Sequence, residues 1–326
     1  MILSFQNLDF PLLLVDSVNV CTNHRAKFST SMAIKIPSLS ISTEEDRNLA
    51  KSRKNIGSAY TAITRCKVSD SWMSQENTVG IIGGLSVSST LIFLEKLVWG
   101  SSRNGKESVP FIVCSDSTIK SELFMYATLV SSQDARFELH HRVIVEDLRR
   151  KRAFLEQSGA QCIVMPCHVL HVWHREVSRG CSVTFLNVGD CVARELKEAN
   201  FKSLEAGGKV RIGLLARDAN LVAKFYQEKL QSQGFEVVLP DKPTMEHIII
   251  PAIEALHKRD IEGARNLLRV AIQVLLVKAV NVIILAADEL QGVLPCNDPL
   301  LKKCIDPMDS LARSAIQWAQ STKDGT

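Results

Sequence analysis

The sequence predicts an α/β protein of two pseudo-symmetric lobes, each a parallel sheet flanked by helices, with an active site in the cleft between them. Three observations predict it. Short apolar runs alternate with helix-period segments, the order that builds parallel sheets. The order of strands and helices occurs twice, once ending near Cys167 and once near Ala287. In both passes the middle strand closes on an aspartate, Asp116 or Asp241.

In the first pass, Val79-Gly80-Ile81-Ile82 reads as a buried strand and Gly83-Gly84 as a tight turn. A helix is expected over Thr90–Val98 and a second strand over Val109–Cys114, closing on Ser115-Asp116. A long helix follows over Ala135–Ser158, with Ile144, Leu148 and Leu155 on one face and Gly159 as its stop. Cys162–Met165 is the third strand. In the second pass, Val210–Leu215 is a strand, and Val222, Tyr226 and Leu230 recur at helical spacing before a stop at Gly234. Phe235–Leu239 is the middle strand, helices follow at Thr244–Leu256 and Ile261–Lys278, and Val282–Leu285 is the last strand. A final helix over Met308–Gln320 is expected to pack back on the first lobe. The implied division is 1–76 outside the fold, 77–185 plus 308–326 as the first lobe, and 186–307 as the second.

Composition narrows the function classes. The net charge of +4 comes from interspersed acids and bases, so no nucleic-acid face is indicated. No apolar run approaches the roughly 20 residues that a membrane span needs. The nine cysteines are irregularly spaced, which suits a reducing compartment better than a disulfide framework. Residues 1–76 lack periodic apolar pattern. Thr22–Thr43 is rich in Ser and Thr and carries Arg25, Lys27 and Lys35 without an acid, the character of an organelle transit peptide; a plain disordered tail is the other reading. A chloroplast location is therefore expected, with the cytoplasm as the alternative.

The stretch with most chemistry is Cys162–His171, CIVMPCHVLH. Its apolar run ends at Pro166, and Cys167 follows at a strand tip, where open α/β sheets place their reacting groups. A helix starting there would favour the thiolate and make Cys167 the most readily alkylated thiol of the ordered region. A Cys-His nucleophile of the hydrolase type and a plain buried thiol are the other readings. The histidines at 168, 171 and 174 drift round a helix and meet no second Cys/His cluster, so no metal site is expected. Two of the three are expected on the surface or in the cleft. The run Gly83–Thr90 offers backbone amides and hydroxyls to a carboxylate or phosphate, or is tight-turn chemistry only.

Several segments in the same order carry a family resemblance: VGIIGGLSVSST (79–90), VPFIVCSD (109–116), CIVMPCHVLH (162–171), RIGLLARDANL (211–221), GFEVVLPD (234–241) and VIILAADEL (282–290). The chain resembles the aspartate/glutamate racemases, most closely their plant members. The resemblance implies two pseudo-symmetric lobes, no cofactor and no pyridoxal phosphate, and one catalytic Cys from each lobe. One thiolate takes the α-proton of the amino acid and the other thiol returns a proton to the opposite face. It also implies a small acidic amino acid or dicarboxylate as ligand, and a homodimer.

The departures are specific. Cys167 matches the first catalytic Cys, but His168 and Val169 replace the Asn and Thr that follow it. Ala287 stands where the second Cys belongs, with Asp288 after it and Glu289 matching the family's Glu. Arg217 and Asn220 replace two expected hydroxyls. The candidate acid/base residues are therefore Cys167 and Asp288. Gly84, Ser86, Ser115, His168, Arg217 and Asn220 are expected to border the substrate; Arg217 could hold a carboxylate bidentately or be a solvated loop arginine. The reaction this implies is proton transfer at an α-carbon. A single-thiol decarboxylation or isomerisation, or a racemase fold kept only to bind a small carboxylate or a protein partner, are the alternatives.

Overall fold

The computed structural model describes residues 76–84, 87–102, 108–115, 136–204, 208–217 and 221–323. The N-terminal segment up to residue 75, and with it the expected transit peptide, lies outside the described residues, as do Ser86, Asp116 and Asn220.

Two four-stranded parallel sheets form the frame. The first has the order β2-β1-β3-β4, with β1 at Val79–Ile82, β2 at Phe111–Cys114, β3 at Cys162–Val164 and β4 at Thr184–Phe185. The second has the order β6-β5-β7-β8, with β5 at Arg211–Ala216, β6 at Glu236–Val238, β7 at Val282–Ala286 and β8 at Cys304–Ile305. The matching strand order is the repeat read from the sequence.

The helices are α1 (Val87–Ser101), α2 (Arg136–Gln157), α3 (His174–Val177), α4 (Val188–Glu198), α5 (Val222–Ser232), α6 (Ile250–His257), α7 (Ile261–Val277) and α8 (Pro307–Lys323). The expected helix over Thr244–Leu256 begins earlier, at Lys242, and includes a π-helical turn at Met245–Ile249 just before Pro251. Proline has no N–H to give the preceding turn, so the backbone widens there. The aspartate that closes the second middle strand serves this helix. Asp241 Oδ1 accepts from the Thr244 amide at 2.9 Å and its hydroxyl at 2.6 Å. Those bonds, the hydroxyl first, hold the carboxyl down at about 2. Gly159 and Gly234 end α2 and α5 at φ of +96° and +93°, as their spacing predicts.

The central strands β1, β3, β5 and β7 are buried on both faces, so alternate side chains serve two cores. Val79, Ile81, Val164, Ile212, Leu214 and Ile284 point into a central cluster shared by the sheets and helices α1, α4, α5 and α8. Ile82, Ile163 and Met165 point outward onto α2, and Leu215, Ile283 and Leu285 onto α6 and α7. Helix α8 packs on α1, as expected, and equally on α4. Lys96 of α1 clamps it, 3.0 Å from Asp306 and 2.7 Å from Asp309.

Candidate active site

Strand register defines which residues of the two halves correspond. Gly80 pairs with Ile163, and Gly213 with Ile283. Both glycines are closely overlaid by the C-terminal end of the helix that leads into the paired strand, α2 or α7: a Cβ on Gly80 would lie 3.2 Å from Leu155, and one on Gly213 3.3 Å from Leu275. Continued past the strand ends, the register reaches Gly84 beside Cys167 in the first half and Arg217 beside Ala287 in the second. Side-chain parity agrees, because Cys167 belongs to the outer core of its half and Ala287 to the outer core of the other. The next residues in line, His168 and Asp288, are likewise equivalents.

Gly84 and Cys167 are in intimate contact; a Cβ on Gly84 would clash with Cys167 Cβ and lie 3.2 Å from its Sγ. Gly83 has the same relationship with Ser115. The tips of β1, β2 and β3 thus bring Gly83, Gly84, Ser115 and Cys167 together, and only glycine fits at the two turn positions. Cys167 is 1% exposed. It precedes a short 3-10 turn at Val169–Trp173, not an α-helix.

The second half meets this tip through Asp288. Its carboxyl is buried, which raises it to about 7. The Ser89 side chain, the Cys167 thiol and the His168 backbone pull the other way, and the charge of Glu289 adds to the rise. His168 Nε2 lies 3.3 Å from Asp288 Oδ1. His168 is itself buried, and burial lowers it to about 4, so it is neutral near pH 7. Its Nδ1 is 2.9 Å from the hydroxyl of Tyr226 on α5, and its Nε2 is 3.2 Å from the Gln291 amide nitrogen. A neutral imidazole has one ring proton. With the Gln291 amide donating to Nε2, Nδ1–H donates to Tyr226. An accepting Nε2 beside Asp288 Oδ1 then favours a proton on that carboxyl, in agreement with its raised value.

Of the expected site residues, the fold gathers Cys167, His168, Asp288, Gly84 and Ser115. Arg217 is exposed at the edge of the buried group, and its Nη1 donates to Glu289 Oε1 at 2.5 Å. Ser86 and Asn220 lie outside the described residues. Of the three histidines, His168 lies at the site, His174 is partly exposed and His171 is in the core. His171 is buried, its Nε2–H donates to the Met165 carbonyl at 2.7 Å, and its ring stacks on Phe225 and His174. It is a core residue that fixes the turn after Cys167. Among the described residues, no group of three or more His, Cys, Asp or Glu could hold a metal ion.

Sequence reasoning missed Ser89, Tyr226 and Gln291. Tyr226 had a legible signal: a tyrosine on the apolar face of a helix needs a buried partner for its hydroxyl. Gln291 corresponds to His171 in the repeat, which becomes visible only with the register.

A model of the family described as Asp/Glu/hydantoin racemase matches residues 82–315. The chain belongs to this family. An aspartate racemase homologue from Pyrococcus horikoshii OT3 has the same fold at a TM-score of 0.60 and 22% identity, over 75% of this chain and 99% of that one. The aspartate racemase of Picrophilus torridus gives 0.57 and 24%, over 74% and 94%. An uncharacterised protein from the pnlA 3' region of Pectobacterium carotovorum is 26% identical over 147 residues, 45% of this chain and 92% of the other. At these identities the solved structures speak for the fold alone. The racemase family and fold are shared, while the position equivalent to Cys167 holds Ala287.

Proposed function

We propose that this protein moves a proton at the α-carbon of a small acidic amino acid, without a cofactor, using Cys167 and Asp288 as its acid/base groups. The observation that supports this reading most is the buried contact between a thiol and a carboxyl raised to about 7, at the point where the two sheets' tips meet. A carboxyl poised near neutrality can both give and take a proton at physiological pH. Asp288 sits one residue beyond the position where a second thiol would stand. The family and the names of the solved neighbours suggest aspartate or glutamate as substrate. The acid-poor segment Thr22–Thr43 supports a plastid address; a fluorescent fusion of residues 1–76 that stays in the cytosol would remove that part.

The contact between Cys167 and Asp288 also favours a second reading. Inversion needs donors on opposite faces of the α-carbon, whereas a bonded pair serves one face. A decarboxylation or isomerisation protonates one face only.

The test is incubation of the full chain in D2O with L-aspartate and L-glutamate, followed by chiral and mass analysis. Racemisation with deuterium at the α-carbon, lost in Cys167→Ala, is the expected result. Deuterium incorporation with retained configuration, or a decarboxylated product, would favour the single-face reading. No Cys167-dependent exchange with either amino acid would overturn the first.

A further inference from the structure

We propose that Arg217 is the specificity-determining cation of this site, that it receives the second carboxylate of the substrate, and that Glu289 holds it until that carboxylate arrives. The inference rests on the reading above and names the ligand class as one with two acidic groups.

Four observations carry it. Arg217 follows β5 directly, in the register position beside Ala287, as Gly84 stands beside Cys167. Glu289, its partner, is adjacent to Asp288, and its charge acts on both Asp288 and His168, so the ion pair borders the buried group. Among the described tip residues Gly83, Gly84, Ser115, Cys167, His168, Ala287, Asp288 and Glu289 there is no second permanent cation. The Arg217 and Glu289 side chains are 59% and 27% exposed, open to an incoming anion.

The physics of exchange is favourable. Exposed ion pairs contribute little net stability, because water screens them and two long side chains must be ordered. Arg217 is bonded to Glu289 through Nη1, and a planar carboxylate can engage a guanidinium through two parallel N–H donors. A ligand held elsewhere by its α-carboxylate presents its second carboxylate at high local concentration, so it competes well with Glu289. A monocarboxylate has nothing to offer Arg217.

The test is calorimetric titration of the full chain with succinate, L-malate, propionate and L-alanine, for wild type, Arg217→Met, Arg217→Lys and Glu289→Gln, each checked by thermal melting. Wild type should bind the dicarboxylates more tightly than the monocarboxylates. Arg217→Met should reduce that preference by about tenfold or more, the scale of one charged hydrogen-bonded contact, with an unchanged melt. Arg217→Lys should restore part of it, and Glu289→Gln should strengthen succinate binding. The proposal is overturned if wild type binds no dicarboxylate, if Arg217→Met keeps the preference, or if Glu289→Gln weakens succinate as Arg217→Met does. Aspartate α-deuteration in the same variants separates the two readings. Cys167-dependent exchange with an unaltered preference in Arg217→Met would sink this inference alone. Arg217-dependent dicarboxylate binding without exchange would support it while removing the proton-transfer reading.

Discussion

His168 and Asp288 hold equivalent positions in the two halves of the fold, and they face each other 3.3 Å apart where the halves meet. Each directly follows one of two equivalent strand-tip positions, Cys167 in one half and Ala287 in the other. Burial drives the two in opposite directions on the pH scale, His168 down to about 4 and Asp288 up to about 7, so both are neutral between those values.

That pairing gives stability a signature in pH. Asp288 ionises near 3.8 when unfolded and near 7 when folded, so between these values the folded state holds the extra proton. Its contribution is fully present below about pH 4 and is lost as pH rises through 7. Asp288→Asn should therefore raise stability by about 1–2 kcal/mol at pH 5, where the unfolded carboxyl is already ionised, and by about 2–3 kcal/mol more at pH 8. Urea denaturation at the two pH values measures this; equal effects at both would show that Asp288 titrates normally.

His168 runs the other way. Unfolded, it takes a proton near 6.5, while folded it resists until about 4, so its contribution is lost as pH falls below 6.5. Nitrogen-15 NMR of labelled histidine should find a neutral ring at pH 5.5, protonated at Nδ1. In Tyr226→Phe that proton loses its acceptor, and stability should fall by about 1–3 kcal/mol. A charged ring at pH 5.5 would contradict the burial argument.

Gly84→Ala should be among the most damaging single changes near the site. The added methyl meets Cys167 Cβ, which cannot swing aside as the end of a long side chain could. Expected is a loss of about 1–3 kcal/mol by overpacking, together with loss of any Cys167-dependent activity. A variant with wild-type melting and activity would mean that the β1 and β3 tips are further apart.

The order of thiol labelling should depart from the one the sequence suggests. Cys167 is buried, while Cys296 is exposed. Peptide mass spectrometry after brief alkylation at pH 7 should find Cys296 modified first among the cysteines of the described residues, and Cys167 modified only slowly. Rapid labelling of Cys167 would mean that the site opens readily.

Much of the frame was legible because parallel strands are apolar on both faces and their helices end on glycine, as at Gly159 and Gly234. Two-residue strands such as Thr184–Phe185 and Cys304–Ile305 are too short to carry a period. Helix α4 had a readable start in Asn187, whose side chain accepts from the amides of Gly189 and Asp190, but its core-facing stripe was passed over. Cys167, His168 and Asp288 could be named from motifs at strand tips. Their hydrogen-bond partners could not, because Ser89 and Tyr226 arrive from helices far along the chain, and residue type alone assigned them to a turn and a core. Which of the three histidines belongs to the core was hidden for a related reason: a backbone carbonyl, invisible in sequence, satisfies His171.

The central claim is that Asp288 has taken over from the missing thiol as the partner of Cys167. The most direct measurement is α-deuterium incorporation into aspartate and glutamate by wild type, Asp288→Asn, Ala287→Cys and Cys167→Ala. The account predicts that Asp288→Asn and Cys167→Ala each lose exchange by about 10²–10⁴-fold, the contribution of a general acid–base group, while Ala287→Cys changes it little. Exchange that survives in Asp288→Asn, or that appears only when Ala287→Cys supplies a second thiol, would contradict it.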